Sequence, residues 1–106
     1  MEEPILLYIT CANKDEAKSI ARVLVEERLI ACANILGKMT SIYRWEGTVA
    51  EDDEIAVLLK TPRNMEVRVT ERVKELHSYD VPCVISLPIT GGNSDFIYWL
   101  NCGGEL

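Results

Sequence analysis

The feature that most constrains the fold is a pair of long β-type segments on either side of the dipeptide Glu46-Gly47. The first segment runs from Ala31 to Trp45 and is interrupted at Gly37-Lys38. The second follows the acidic stretch Glu51–Glu54 and contains the apolar run from Ile55 to Lys60. Segments of this kind form the two arms of a hairpin, and these arms are longer than ordinary strands. We therefore expect a bulge at the interruption and a hairpin that one copy of the chain cannot bury alone.

The N-terminal part predicts a strand followed by a helix. The run from Pro4 to Thr10 is apolar and partly β-branched, which is typical of a strand buried on both faces. Asn13 then predicts a helix N-cap, with the Glu16 carboxylate reaching back as in a capping box. The following apolar residues recur at spacings of three and four, as in a helix that packs one face on a sheet. They are Ala17, Ile20, Ala21 and Leu24.

The C-terminal half predicts a second helix, a fourth strand and a short last helix. Thr61-Pro62 suggests an N-cap with proline at the first helical position, and this helix should end near His77. Val81–Ile89 is a strand with a proline near each end. Asn93 can cap the terminal helix, and Gly103-Gly104 allow the left-handed backbone that ends it. The apolar stripe of the second helix comprises Met65, Val69, Val73 and Leu76.

The order is therefore β-α-β-β-α-β with a helical tail, in a single domain over residues 1–106. Right-handed crossovers give an α+β, ferredoxin-like fold: an antiparallel sheet, two helices on one face and a short C-terminal helix. That fold carries enzymes, RNA binders, metal carriers and sensors, so it does not by itself fix a function.

Composition excludes several functional classes. With 11 basic and 17 acidic residues the net charge is −6, and the basic residues do not cluster, which argues against nucleic acid as a partner. No apolar run is long enough to cross a membrane and no signal peptide is evident, so we expect a cytoplasmic protein with no membrane partner. Phosphate-binding loops, dinucleotide fingerprints and nucleophile elbows are all missing from the sequence. We expect a protein that is not an enzyme.

Two residues offer soft or borderline metal ligands. Cys11 follows the first strand, where ligands commonly bind, and His77 begins a segment that also contains Tyr79 and Asp80. A thiolate with an imidazole suits copper or zinc. Two structural alternatives stay open, because Cys11 can be a buried small apolar residue and His77 can serve only as a helix C-cap.

Two parts of the hairpin, the face of Ser41, Tyr43 and Trp45 and the acidic run Glu51–Glu54, each allow two interpretations. Ser41, Tyr43 and Trp45 share one strand face, which favours a subunit contact over stacking on RNA bases, given the acidic charge. The acids Glu51–Glu54 are interpreted as a solvated hairpin turn, with a catalytic carboxylate pair as the alternative.

Five strings, taken together in order and spacing, closely resemble the CutA divalent-cation-tolerance family over nearly the whole chain. They are Ala31–Ile35, Ser41–Gly47, Leu59–Thr61, His77–Pro82 and Leu87–Ile89. The resemblance implies a homotrimer, built like PII signalling proteins, in which the long hairpin reaches neighbouring subunits. It also implies a role in tolerance of copper and other divalent metal cations.

In bacterial members, the resemblance implies copper held by a cysteine after the first strand and by two consecutive histidines before a tyrosine. Cys11 and His77 match two of these positions, whereas Leu76 replaces the first histidine and weakens the expected copper site. Clefts between subunits are a second expected site, for a small ligand or a protein partner as in PII-like adaptors. The expected cleft residues are Tyr43, Trp45, Lys60, Tyr79 and Asp80. An acylphosphatase-like hydrolase shares the fold, but the loop after the first strand has neither the arginine nor the glycines for phosphate.

Overall fold

A computed structural model describes residues 3–105. It contains four strands and three α-helices in the predicted order, with a short 3-10 turn, Arg63–Met65, before the second helix. The strands are β1 (Pro4–Cys11), β2 (Cys32–Trp45), β3 (Thr48–Pro62) and β4 (Val84–Pro88). The helices are α1 (Lys14–Glu26), α2 (Glu66–Leu76) and α3 (Ser94–Asn101).

The four strands form one antiparallel sheet in the order β2-β3-β1-β4. The central strands β1 and β3 supply alternate apolar side chains to a core that α1 and α2 cover from the same side. Leu7, Leu59, Leu24 and Val69 are fully buried there. The predicted α+β fold with an antiparallel sheet is thus confirmed, and Cys11 belongs to this core.

The hairpin of β2 and β3 extends well beyond the rest of the sheet. β1 pairs with β3 only from Pro62 back to Ile55, so the part of β3 from Thr48 to Glu54 pairs with β2 alone. The pairing shifts between Ile35 and Lys38, which confirms the predicted bulge. Glu46 and Gly47 both have positive φ, as a two-residue type I′ turn requires.

Two local interpretations were wrong. The Glu51–Glu54 acids are not in the hairpin turn, because they lie within β3 opposite β2. Thr61 is not an N-cap: it is the penultimate residue of β3, fully buried, and its hydroxyl donates to the Leu29 carbonyl at 2.8 Å. The partner of Thr61, the Leu29 carbonyl, lies 32 residues away in the chain, so local spacing does not reveal this bond.

The helix ends otherwise follow the predictions. Asn13 caps α1 by accepting from the Glu16 N–H at 2.8 Å, and Asn93 caps α3 by accepting from the Asp95 N–H at 2.9 Å. His77 is the residue after α2, as expected. β4 is shorter than predicted, because residues 81–83 are an irregular segment.

The opposite face of the sheet is only partly covered. Lys60 leaves β3 on the side opposite Leu59, and its Nζ lies 5.7 Å from the centre of the Phe96 ring of α3. Ile85 and Leu87 on β4 stay exposed. Within residues 3–105, no helix has the length and apolar character needed to cross a bilayer.

Candidate metal centre and the adjoining groove

Three potential metal ligands meet where β1, α1 and α2 converge. Cys11 ends β1, Glu16 lies in the first turn of α1, and His77 follows α2. One ligand atom from each lies within 4.8 Å of the others, and this is the group of that kind found among residues 3–105. The structure therefore brings together Cys11 and His77, the two residues singled out in the sequence, and adds Glu16. We call these three residues the metal cluster.

The hydrogen bonds of His77 identify its tautomer. The backbone N–H of Tyr79 donates to Nδ1 at 3.0 Å, so Nδ1 carries the lone pair. Nε2 lies 2.7 Å from the carbonyl oxygen of Thr10 and must therefore carry the proton and donate. A histidine that donates one ring N–H to a backbone carbonyl is oriented in the way that metal-binding histidines usually are. His77 is thus more than a helix cap.

The Glu16 side chain binds two separate pieces of backbone. Its carboxylate accepts from the N–H of Ala12 at 3.0 Å and from the N–H of Ser78 at 2.9 Å. In a standard capping box this carboxylate accepts from the N–H of the N-cap residue, Asn13, whereas here it accepts from Ala12, one residue earlier. Burial opposes ionisation of this carboxyl, but the bonds from Ser78 and Ala12 outweigh it and hold its pKa below the usual range. Glu16 is therefore an ionised oxygen donor at neutral pH.

The thiol of Cys11 is the least accessible of the three donors. Its side chain is 0% exposed, and burial, reinforced by the negative charges of Glu16 and Glu54, raises the pKa of the thiol to about 12. The thiol is therefore protonated at neutral pH. Metal ligation requires the thiolate, so any metal that uses Cys11 must displace this proton.

The donor set fits a borderline or soft metal ion. One sulfur, one imidazole nitrogen and one carboxylate oxygen suit copper or zinc. Binding requires two exchanges, namely loss of the Cys11 proton and displacement of the Tyr79 N–H from Nδ1. Leu76 packs against the core and adds no ligand.

A groove of about 700 Å³ lies beside the metal cluster. Four of the five expected cleft residues, Tyr43, Trp45, Tyr79 and Asp80, line it. Other residues along the groove are Thr10, Ala12, Ser41, Asp52, Asp53, Glu54, Val81 and Cys83. The lining includes four carboxylates and no basic side chain, and Lys38 pairs with Asp53 at 3.2 Å. The groove is therefore acidic with aromatic walls.

Tyrosine hydroxyls fix two of these carboxylates. Tyr79 donates to Glu54 at 2.9 Å, and Tyr43 donates to Asp52. Burial, followed by the bond to Glu54, raises the pKa of Tyr79, and the bond to Asp52 raises that of Tyr43. Both hydroxyls are thus donors at any physiological pH. Glu54 was expected in a solvated turn or, alternatively, in a catalytic carboxylate pair, and its bond to Tyr79, 25 residues away, is not visible in local spacing.

Lys60 does not reach the groove within one chain. Its Nζ donates to Asn34 Oδ1 at 2.7 Å, on the sheet face that carries α3. The five expected cleft residues are therefore divided between two surfaces of the subunit.

Comparisons with known proteins agree with these observations. The profile of the "CutA1 divalent ion tolerance protein" family matches residues 5–102. The "Divalent-cation tolerance protein CutA" of Thermus thermophilus is 49% identical over 100 residues, which cover 94% of this chain and 95% of that protein. "Protein CutA, chloroplastic" of Arabidopsis thaliana is 43% identical over 91% of this chain, which spans only 53% of that longer relative.

A solved structure gives the same result. The solved structure of the "Periplasmic divalent cation tolerance protein CutA" of Archaeoglobus fulgidus superposes with a TM-score of 0.91 at 35% identity, over 96% of this chain and 99% of that one. Both the profile match and the Thermus relative extend over nearly the full length of the chain. This chain therefore belongs to the CutA1 divalent ion tolerance family.

Proposed function

We propose that this protein is a homotrimer that acts in tolerance of divalent cations by binding a transition metal, with copper as the expected ion, at Cys11, Glu16 and His77. The observation that carries the proposal is the approach of three chemically suitable donor atoms to within 4.8 Å of one another. The names of the relatives support the link to divalent cations. We propose binding rather than catalysis.

The expected affinity is modest. Three protein donors are the minimum of an ordinary tight site, and here one of them must first lose a proton from a buried thiol. The imidazole that the resemblance implied next to His77 is replaced by Leu76. Weak, reversible occupancy suits a protein that responds to a metal better than one that stores it.

Two exposed surfaces support the trimer. Ile42 and Val49, on the outer hairpin, are 68% and 69% exposed in the single chain. Ile85 and Leu87 of the edge strand β4 are exposed as well. Apolar side chains on an unpaired hairpin and on an edge strand are typical of surfaces that other copies cover.

Metal titration of the purified protein tests the metal site. We expect calorimetry to show zinc and Cu(I) binding to the wild type and loss of that binding in a Cys11→Ala, His77→Ala double variant. Cys102→Ala is the matched control, because this half-buried thiol lies outside the metal cluster and should leave binding unchanged. Equal affinity of wild type and double variant would refute the site.

Light scattering on dilute protein tests the assembly. We expect a mass of three times 11.9 kDa for the wild type. An Ile42→Glu, Val49→Glu variant should yield a smaller species, because it places charge on the outer hairpin. A stable, folded species of 11.9 kDa for the wild type would contradict the trimer.

A second candidate is a PII-like signalling or adaptor trimer that binds a small molecule or a protein partner in the groove. The aromatic and carboxylate lining around Tyr43, Trp45 and Tyr79 favours it. A thermal-shift screen tests it, because a ligand at 100 times its Kd adds about 2.7 kcal/mol to the free energy of unfolding.

For location we propose the cytoplasm, since all four cysteines are unpaired, although relatives are named as chloroplastic and periplasmic.

A further inference from the structure

A metal ion and the Tyr79 backbone compete for one lone pair. In the tautomer that the two bonds indicate, Nε2 of His77 carries the proton that it donates to Thr10, and Nδ1 holds the lone pair that a metal ion would use. That lone pair already accepts the N–H of Tyr79 at 3.0 Å. A lone pair that coordinates a metal cannot also accept this hydrogen bond. Occupancy of the metal cluster and the observed position of Tyr79 therefore exclude each other.

We propose, on the basis of the metal site described above, that metal binding releases the segment Ser78–Asp80 and thereby remodels the wall of the acidic groove. Ser78 and Tyr79 lie outside helix and strand, and their N–H groups donate to Glu16 and His77. These two acceptors are themselves members of the metal cluster. A bound metal ion would therefore be coordinated by Glu16 and His77, the same side chains that hold the segment Ser78–Asp80 in place.

Tyr79 connects the cluster to the groove. Its ring centre lies 4.7 Å from that of His77, and its hydroxyl donates to Glu54 on β3 at 2.9 Å. Tyr79 and Asp80 line the groove. Displacing the Tyr79 backbone thus moves one aromatic and one acidic member of the wall, whereas Tyr43 and Asp52 belong to the hairpin and stay in place.

The coupling is reciprocal. If metal binding must release Tyr79, then removing a contact that holds Tyr79 in the metal-free state strengthens metal binding by the free energy of that contact. The bond from the Tyr79 hydroxyl to Glu54 tethers the segment in the metal-free position. Removing the hydroxyl should therefore raise the affinity for metal, although Tyr79 supplies no ligand atom.

The test is zinc affinity, measured by calorimetry on the full chain for wild type, Tyr79→Phe and Tyr43→Phe. Tyr43→Phe is the matched control, because it removes a tyrosine–carboxylate bond from the same groove but not from the released segment. We expect Tyr79→Phe to bind zinc roughly three- to tenfold more tightly, as loss of one hydrogen bond allows. Tyr43→Phe should stay within about twofold of wild type.

A second readout needs no variant. Amide exchange of the wild type with and without zinc should show faster exchange at Ser78 and Tyr79 when zinc is bound. The Asp95 amide, which donates to Asn93 in α3, should not change. Zinc binding with unchanged exchange at Tyr79, or with equal effects of the two tyrosine variants, would overturn the coupling and leave the metal site standing. If neither zinc nor Cu(I) binds the wild type, the metal site is refuted and the coupling with it.

Discussion

The affinity of the metal cluster should depend steeply on pH, and the cause is the burial of Cys11. At pH 7 Glu16 is ionised, because its hydrogen bonds hold the pKa of the carboxyl below the usual range. The thiol of Cys11 is protonated, with its pKa raised to about 12. Each metal ion that binds through the sulfur therefore releases about one proton. The apparent affinity must rise with pH.

The size of the effect on metal affinity follows from the shift in the pKa of Cys11. Moving the pKa of the thiol from 9.0 to about 12 corresponds to about 4 kcal/mol at 1.36 kcal/mol per unit. At neutral pH this pKa shift lowers the affinity about a thousandfold relative to the same site with an ordinary thiol. Between pH 7 and 9 the apparent zinc affinity should increase about tenfold per pH unit, because the whole range lies below the pKa of the thiol.

The assay is competition for zinc with a chelator of known pH dependence, run at pH 7, 8 and 9. Calorimetry in buffers of different ionisation enthalpy gives the number of protons released. Cys11→Ser should bind zinc weakly and without the steep pH dependence, because a hydroxyl does not ionise in this range. Cys32→Ser, which changes a half-buried thiol outside the cluster, should keep the slope.

One result would refute the reasoning. If wild-type protein binds zinc with an affinity that is flat from pH 7 to 9 and releases no proton, then Cys11 is not a ligand in its thiolate form. The metal would then be held by His77 and Glu16 alone, and the burial of Cys11 would be purely structural.

Three further predictions concern stability, each measured by urea unfolding at matched protein concentration. Thr61→Val should lower the free energy of unfolding by about 1–3 kcal/mol, because it leaves the Leu29 carbonyl without its buried donor, whereas Thr48→Val, at an exposed bond, should change little. Leu59→Ala should cost about 2–5 kcal/mol, since the side chain is fully buried beneath α1 and α2, and a loss below 1 kcal/mol would contradict that packing. Asn93→Ala should cost about 1 kcal/mol by removing the cap of α3, and Gly at the same position should restore part of it.

The sequence predicts those parts of the fold that depend on neighbours in the chain. Asn13 and Asn93 cap their helices through N–H groups two or three residues away, so spacing is sufficient to identify them. The bulge near Gly37 and the positive φ of Gly47 are likewise local properties of the backbone. The continuous apolar runs of β1 and β3 identify the two central strands that supply the core, because strands in the middle of a sheet are apolar at successive positions.

The site depends on contacts between distant parts of the chain, which spacing does not encode. Glu16 has a local role that the sequence suggests, but its bond to Ser78 spans 62 residues and is found only in the folded chain. Lys60 was grouped with the cleft by resemblance, yet in one subunit it faces away from the groove. A metal ion and the Tyr79 N–H compete for Nδ1 of His77 because of the tautomer of the ring. One long-range bond, to Thr10, and one short-range bond, from Tyr79, together indicate that tautomer.

The outer hairpin has a consequence for how the protein is made. Seven residue pairs, from Met39–Glu54 to Trp45–Thr48, extend past the end of β1, which at 3.3 Å per residue amounts to about 23 Å of ribbon. If the proposed trimer covers this ribbon, a newly synthesised chain displays it until other copies bind, and unpaired ribbons readily join foreign strands. On that proposal, the chain would be most prone to misassembly when its own concentration is low, and synthesis of several chains from one message at the same place would protect it.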